Sequence, residues 1–308
     1  MLNCVHLLAA RYDSGGMIEI HNLPAQEFEE LYPGLVRELS SGKTLLQFLV
    51  RVLLTLSAWS PRLRRKLMER ILPVALHASL PLFGVGWVGV VNESSRWLRG
   101  HRLGSASLTA ILRSVGTDAC GPIALGGWGI RDWPLALRYR TKIAGLIKNR
   151  NPHHFQATSY LQGRRRPGVL LIGVLIRQTD YRIWERGRYF YETSEYVDVM
   201  RYLTTGRTVQ FLVASDSKQD AEAFGGLDVI VASGREIGAG HYMESFFELS
   251  LCDKILSPPS SFALMAAYVG DAGVLLKMPS RLAWPSCKKP IELAVNECWQ
   301  DADFAKIS

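Results

Sequence analysis

The sequence predicts an α/β protein whose second half is a doubly wound parallel sheet. Three observations predict it. Residues 169–176 form an unbroken apolar run, Val-Leu-Leu-Ile-Gly-Val-Leu-Ile, that stops at the polar turn Arg177-Gln178-Thr179-Asp180-Tyr181; such a run is typical of a strand buried on both faces. Two later runs, 208–214 and 254–256, end in the same way, at Ser215-Asp216-Ser217 and at Ser257-Pro258-Pro259-Ser260-Ser261-Phe262. Between these runs lie segments with helical apolar spacing, so strand and helix alternate.

The elements follow in order from local signals. In the first half, 2–11 reads as a helix, 17–20 as a short strand closed by the turn Asn22-Leu23-Pro24, and 45–58 and 61–78 as helices. Ser105 caps a helix over 105–113. Residues 122–133 read as a Gly- and Trp-rich loop, 135–148 as a helix, and 149–167, with His153-His154, Gly163 and Arg164-Arg165-Arg166, as a linker. Strand 169–176 is then followed by helix 194–204, strand 208–214, helix 218–224, strand 228–231, helix 243–251, strand 254–256, helix 261–269 and strand 274–276. The 308 residues suffice for two domains. The expected division is 1–155, a helix-rich, basic and incomplete Rossmann-like domain, and 156–308, a Rossmann-like domain.

Composition bounds the partners. The chain is 48% hydrophobic and 21% charged, enough to bury a large core. Residues 1–150 carry 19 Lys and Arg against 10 Asp and Glu, and residues 151–308 carry 17 against 18. The basic excess therefore belongs to the first half. It suits an acidic acceptor, a membrane surface, nucleic acid or a solvated face; nucleic acid rests on charge alone and is not expected. Five cysteines without a CxxC pair favour free thiols in a reducing cytoplasm and disfavour zinc. Residues 1–10 lack the basic start of a secretory signal, and Arg11 and Asp13 interrupt the apolar run. Residues 71–91 carry no charge and could span a bilayer, but Pro73, Pro81, Gly84, Gly86 and Gly89 break a single helix. They read better as a helix to about Ser79, a turn, and a buried strand near 85–91. Arg62, Arg64, Arg65, Lys66 and Arg70 lie on an amphipathic segment that either rests on an anionic membrane or is a core helix with a wet basic face.

The chemistry concentrates at strand ends. In open α/β sheets ligands bind just past the carboxyl ends of the strands, and Arg177 is the first residue past one of them. Its planar, permanently charged fork suits a phosphate; the alternative is a surface ion pair with Asp180 or Glu185. Ser260 and Ser261 open an apolar helix, either as a plain cap or as a phosphate-binding helix start. With Asp216 these residues describe a diphosphate pocket that has a carboxylate for a base or ribose. No GxGxxG, GxxxxGK[ST] or nucleophile elbow is present. Asp301-Ala302-Asp303 reads as a solvated tail, and no metal site is expected. The aromatic stretch 184–191 reads either as a sugar-stacking loop or as a cover over the sheet.

These residues carry a resemblance. Val174-Leu175-Ile176-Arg177-Gln178-Thr179-Asp180-Tyr181 resembles the His-x-Arg-Arg-Gly-Asp-Tyr motif of bacterial α-1,2-fucosyltransferases and their α-1,6 and protein-O-fucosyltransferase relatives. Phe211-Leu212-Val213-Ala214-Ser215-Asp216 looks like their Phe-x-x-x-Ser-Asp strand end. Leu249-Ser250-Leu251-Cys252-Asp253 with Ser260-Ser261-Phe262 looks like their Leu-Met-Ser-x-Cys…Ser-Ser-Phe-Ser segment. More thinly, Gly126-Gly127-Trp128-Gly129-Ile130-Arg131-Asp132 looks like a Gly-Trp-x-Phe-Arg loop. The resemblance implies a GT-B fold of two Rossmann-like domains, GDP-fucose as donor, and neither metal nor other cofactor. It implies that Arg177 meets the β-phosphate, that Ser260, Ser261 and their helix hold the phosphates with Phe262 beside them, and that Asp180, Asp216, Glu244 and Ser245 lie near the nucleotide. Inverting transfer to a sugar hydroxyl of a glycan or lipid-linked acceptor of a bacterial surface polysaccharide would follow. Asp13, His21 and Asp132 are candidate bases. The motif histidine is Leu175 here, the second arginine Gln178 and the glycine Thr179; the expected acidic residue falls on Ser245, beside Glu244; and no Gly-rich loop precedes the first helix. A non-catalytic relative that binds a glycan or a partner is the rival reading.

Overall fold

The computed structural model describes residues 2–13, 86–89, 123–126, 132–234, 240–271, 273–281, 284 and 286–304. The strand expected at 17–20, the helices at 45–58, 61–78 and 105–113, His21, and the basic stretch from Arg62 to Arg70 lie outside the described residues. The chain divides into two compact units, Met1–Tyr139 and Arg140–Ser308.

In the first unit, helix α1 (Leu2–Asp13) buries Val5, Leu7, Leu8 and Ala9. Strands β1 (Gly86–Gly89) and β2 (Ile123–Gly126) pair in parallel, with Gly86 opposite Ile123. β2 lies where a loop was expected, because only four residues separate Pro122 from Gly127 and the flanking glycines mask so short a run. Helix α2 (Trp133–Arg138) packs on α1: the Asp132 amide donates to His6 Nδ1 at 3.0 Å, and the His6 and Trp133 rings meet edge to face. The single helix expected over 135–148 is broken at Tyr139, and α3 (Arg140–Lys148) belongs to the second unit.

The second unit is a six-stranded sheet of β3 (Leu170–Ile176), β4 (Val209–Ser215), β5 (Asp228–Val231), β6 (Lys254–Ser257), β7 (Val274–Lys277) and β8 (Ile291–Ala294). The order across the sheet is β5-β4-β3-β6-β7-β8. Counted from β3 this is 3-2-1-4-5-6, the doubly wound Rossmann arrangement, whose order reverses between β3 and β6. All pairs are parallel except β7 with β8. The expected α/β class is thus the class the chain adopts. β8, an exposed edge strand, was not anticipated, and the helix expected at 218–224 is a single 3₁₀ turn, Ala221–Phe224, capped by Asp220.

Why β3 is central follows from its two buried faces. Ile172, Val174 and Ile176 pack with Phe211 and Val213 beneath helix α5 (Thr193–Leu203), which contributes Tyr196, Val197, Val199, Met200 and Leu203. Each such side chain, fully buried, stabilises the fold by about 1.5–3 kcal/mol. On the other face lies α6 (Tyr242–Ser250), which approaches so closely that a Cβ on Gly173 would stand 2.7 Å from Leu249 Cδ2 and 3.1 Å from Cys252 Sγ.

The expected linker is structure. Asn151 caps helix α4 (Pro152–Gln162), Pro152 starts it, and Ala157 and Leu161 are buried. The expected boundary at 155/156 falls inside this helix. The arginines after α4 are exposed but paired, and two of them tie the helix to the sheet. Arg165 forks onto Asp253 at 2.8 and 2.9 Å, and Arg166 meets Asp228 at 2.9 Å. Arg164 lies over the Tyr160 ring.

Helix α7 (Ser261–Val269) is apolar on every side and buried from Ala263 to Val269. Its C-terminal carbonyls are taken by the half-buried Arg140, which donates to Tyr268 O at 2.7 Å, to Ala267 O at 3.1 Å and to Gly270 O, the favourable placement of a cation at a helix C-terminus. Burial lowers the Arg140 pKa from its ordinary value. Among the described residues no helix is long and apolar enough to cross a membrane.

Candidate functional site

The topology sets three chain segments around the point where strand order reverses. The register places Ile176 opposite Ser215, and the Asp216 amide donates to Ile176 O at 3.2 Å, so Arg177 and Asp216 leave the sheet side by side. The β6–α7 turn supplies Ser260, Ser261 and Phe262. A cavity of about 480 Å³ opens here, bounded by Arg177, Asp180, Tyr181 and Trp184 and by the first residues of α7. The first amides of that helix have no partner within the helix, and they carry the positive end of its dipole.

Arg177 is held between two carboxylates. Its Nη2 donates to Asp180 Oδ1 at 2.8 Å, and its Nε lies 3.3 Å from Asp216 Oδ2. The second contact is an ion pair only: Nε is buried and makes no hydrogen bond. The two carboxylates differ in freedom. The Asp216 side chain is 15% exposed, and it accepts from the Gln178 amide at 2.8 Å and the Thr179 hydroxyl at 2.7 Å. The Asp180 side chain is 60% exposed, with one oxygen unused by Arg177. Asp216 therefore fixes the guanidinium, while Asp180 is a counter-ion that an incoming anion can displace. A cavity and the expected Asp180 ion pair are both present at Arg177.

The altered motif positions have structural work. Leu175 is buried in the sheet. The Gln178 amide donates to Tyr191 O at 3.0 Å and accepts from Ser217 and Gln219, both at 3.0 Å. Thr179 holds Asp216. A neutral polar network thus occupies the place of the second arginine.

Tyr181, Trp184 and Tyr189 form a row with successive ring centroids 5.0 Å apart. The Tyr181 hydroxyl donates to Pro259 O, joining the row to the turn before α7. Burial raises the Tyr181 pKa, with Arg177 opposing. After Trp184 the backbone takes the left-handed conformation at two non-glycine residues, Glu185 (φ 48°) and Arg186 (φ 59°), and again at Gly187 (φ 75°). The two non-glycine residues each cost on the order of 1–2 kcal/mol. The far side of this loop is anchored by the Tyr189 hydroxyl, which donates to Asp303 Oδ1 at 2.6 Å, and by Arg188, 3.3 Å from the same oxygen.

Asp301 and Asp303 are not a solvated tail. Both reach Lys277 Nζ, at 2.5 and 3.2 Å. Burial alone would raise the Asp303 pKa, but Tyr189, Lys277 and Arg188 outweigh it and hold it below the usual carboxylate range. No sequence spacing announces this latch, since its members lie on β7, the Trp184 loop and the segment after β8. Among the described residues no group of His, Cys, Asp and Glu is suited to hold a metal ion.

The remaining candidates stand elsewhere. Glu244 accepts from the Ser233 hydroxyl at 2.9 Å and lies 3.6 Å from His153 Nδ1. Ser245 packs so tightly that a Cβ on Gly234 would lie 1.9 Å from its Oγ. No hydrogen bond or ion pair among the described residues links either one to the Arg177 group. Asp132 is the buried N-cap of α2 and accepts from the Leu135 amide at 3.1 Å, while Asp13 takes Arg138 at 2.8 Å and the Tyr139 hydroxyl at 3.2 Å. Both belong to the first unit.

Fold and site together define a doubly wound α/β protein with a pocket at its switch point, lined by an arginine that two carboxylates neutralise. No protein-family profile and no curated protein matches the sequence. Among solved structures, a NodZ α-1,6-fucosyltransferase from crystals soaked with GDP-fucose is similar over 56% of this chain and 58% of its own, at 18% identity and a TM-score of 0.37. The chain thus spans little more than half the length of that enzyme. The strand order, rather than this likeness, defines the fold.

Proposed function

We propose that the chain is a glycosyltransferase that takes GDP-fucose and transfers fucose, with inversion, to a sugar hydroxyl of a glycan or lipid-linked surface polysaccharide. The observation that carries the reading is the single cavity bounded by Arg177 and by the N-terminus of α7, at the reversal of strand order. The motif resemblance around Arg177, Asp216 and Ser260-Ser261-Phe262 supplies the donor class.

A leaving diphosphate needs its developing charge neutralised by groups already in place. Arg177 would meet the β-phosphate as Asp180 is displaced, and the amides of the first turn of α7 would receive the remaining oxygens. No metal is required in this scheme; the Asp301 and Asp303 carboxylates are engaged by Lys277. The bond from the anomeric carbon to the phosphate oxygen breaks while one forms from the acceptor oxygen on the opposite face, and the acceptor proton passes to a base. The basic first half would hold the protein at the inner face of a membrane, close to lipid-linked acceptors.

The test is calorimetric titration with GDP, UDP and ADP without added metal. Selective GDP binding that falls roughly 10- to 100-fold in Arg177→Ala is expected, the equivalent of one or two charge-assisted hydrogen bonds. A folded Arg177→Ala that binds GDP as tightly as the parent overturns the assignment. Absence of all nucleotide binding favours a non-catalytic protein that binds a glycan or partner.

A further inference from the structure

The diphosphate pocket has a second half that phosphate chemistry does not use. Beyond Arg177 and the amides of α7, the cavity is bounded by the half-buried indole of Trp184 and the exposed carboxylate of Asp180. An indole beside a carboxylate oxygen that Arg177 does not use matches a pyranose, which presents an apolar face of C–H groups and a rim of hydroxyls. The aromatic face covers the first and the carboxylate accepts from the second. A nucleobase edge would also meet this carboxylate, and comparison of GDP with GDP-fucose separates the two.

Trp184 is also built to stay where it is. Tyr181 and Tyr189 flank it at 5.0 Å, Tyr181 is tied to Pro259, and Tyr189 is tied to Asp303. Arg182 lies over the Phe190 ring at 4.4 Å and closes the loop on itself. Two consecutive non-glycine residues in the left-handed region follow directly. Backbone strain of this kind persists where the surroundings over-determine it, and it gathers at ligand clamps.

We infer that Trp184 is the sugar platform of the pocket: its indole stacks on the pyranose of a nucleotide sugar whose diphosphate lies on Arg177, with Asp180 accepting from a ring hydroxyl. This rests on the nucleotide-sugar reading above and adds the residue that separates the sugar-bearing donor from its bare nucleotide.

The experiment is titration of the full chain and of Trp184→Ala and Trp184→Phe with GDP and with GDP-fucose. The parent is expected to bind GDP-fucose more tightly than GDP. Trp184→Ala should bind GDP as the parent does and lose roughly three- to ten-fold for GDP-fucose, the range of an aromatic stacking contact. Trp184→Phe should recover most of that loss. A merely structural role for Trp184 would weaken both ligands together, and that result overturns the inference. An unchanged GDP-fucose affinity in Trp184→Ala also overturns it, as does a parent that binds both ligands equally. A parent that binds neither removes the nucleotide-sugar reading itself, and the platform with it.

Discussion

At the scale of single residues, the site turns on unequal carboxylates. Asp216 is held by a backbone amide at 2.8 Å and a hydroxyl at 2.7 Å, whereas Asp180 is held by the cation it neutralises and, at 3.4 Å, by the same Thr179 hydroxyl. An anion arriving at Arg177 must displace Asp180 and tolerate its charge nearby. Asp180→Asn is therefore expected to raise GDP affinity about two- to five-fold, the scale of an exposed ion pair. The gain should shrink as salt screens it; calorimetry at 50 and 500 mM salt checks both. Loss of affinity would mean that Asp180 orients Arg177 instead of competing for it. Arg177 was legible because it follows an unbroken apolar run. The roles of Gln178 and Thr179 were not, because they are set by Asp216, Ser217 and Gln219, nearly forty residues away in the chain.

At the scale of elements, the alternation of strand and helix was readable from residue 169 onward, since every parallel strand there is a short apolar run with polar ends. α4 looked like a linker because its outer face is polar and its three following arginines are charged, yet Arg165 and Arg166 pair with Asp253 and Asp228 far along the chain and Arg164 folds back over Tyr160 of α4 itself. β8 was missed because its four residues, Ile-Glu-Leu-Ala, are too few for the alternation of Ile291 and Leu293 to stand out. A tight junction of helix on sheet is β3 against α6 at Gly173. Gly173→Ala must push Leu249 and Cys252 aside, and overpacking of this kind costs about 1–3 kcal/mol. Denaturant unfolding of the variant is expected to show a lowered midpoint with an unchanged slope. A midpoint equal to the parent's would mean that α6 can slide away freely. Since α6 lies over β3, which carries Arg177 at its end, weakened nucleotide binding should accompany the loss.

At the scale of the whole molecule, a buried acid and a half-buried one bend stability against pH in opposite directions. Burial pushes the Glu248 carboxyl up, against the Ser233 hydroxyl and amide that lower it. Its geometry agrees, because one Ser233 hydroxyl faces both Glu244 and Glu248 and can donate to only one of them. With the folded value raised above the ordinary 4.5, the contribution of Glu248 is full below that value and is lost as pH rises through the folded one. Glu248→Gln keeps an acceptor for the Ser233 amide and removes the proton linkage. It is expected to melt higher than the parent at pH 8 and to match it near pH 4.5, as thermal scans would show. A larger gain at the acidic end would refute the sign. Asp303 works the other way: its folded value is depressed, so its support is present above the ordinary carboxylate value and fades as pH falls through the folded one. The Asp303 latch also has a consequence in time. Tyr189 and Asp303 are separated by 114 positions. At roughly 5–20 residues per second, a ribosome delivers the second on the order of 10 s after the first. Through that interval the nascent Trp184 loop lacks its anchor, so the surroundings that hold Glu185 and Arg186 in the left-handed region are complete only once the chain has reached Asp303.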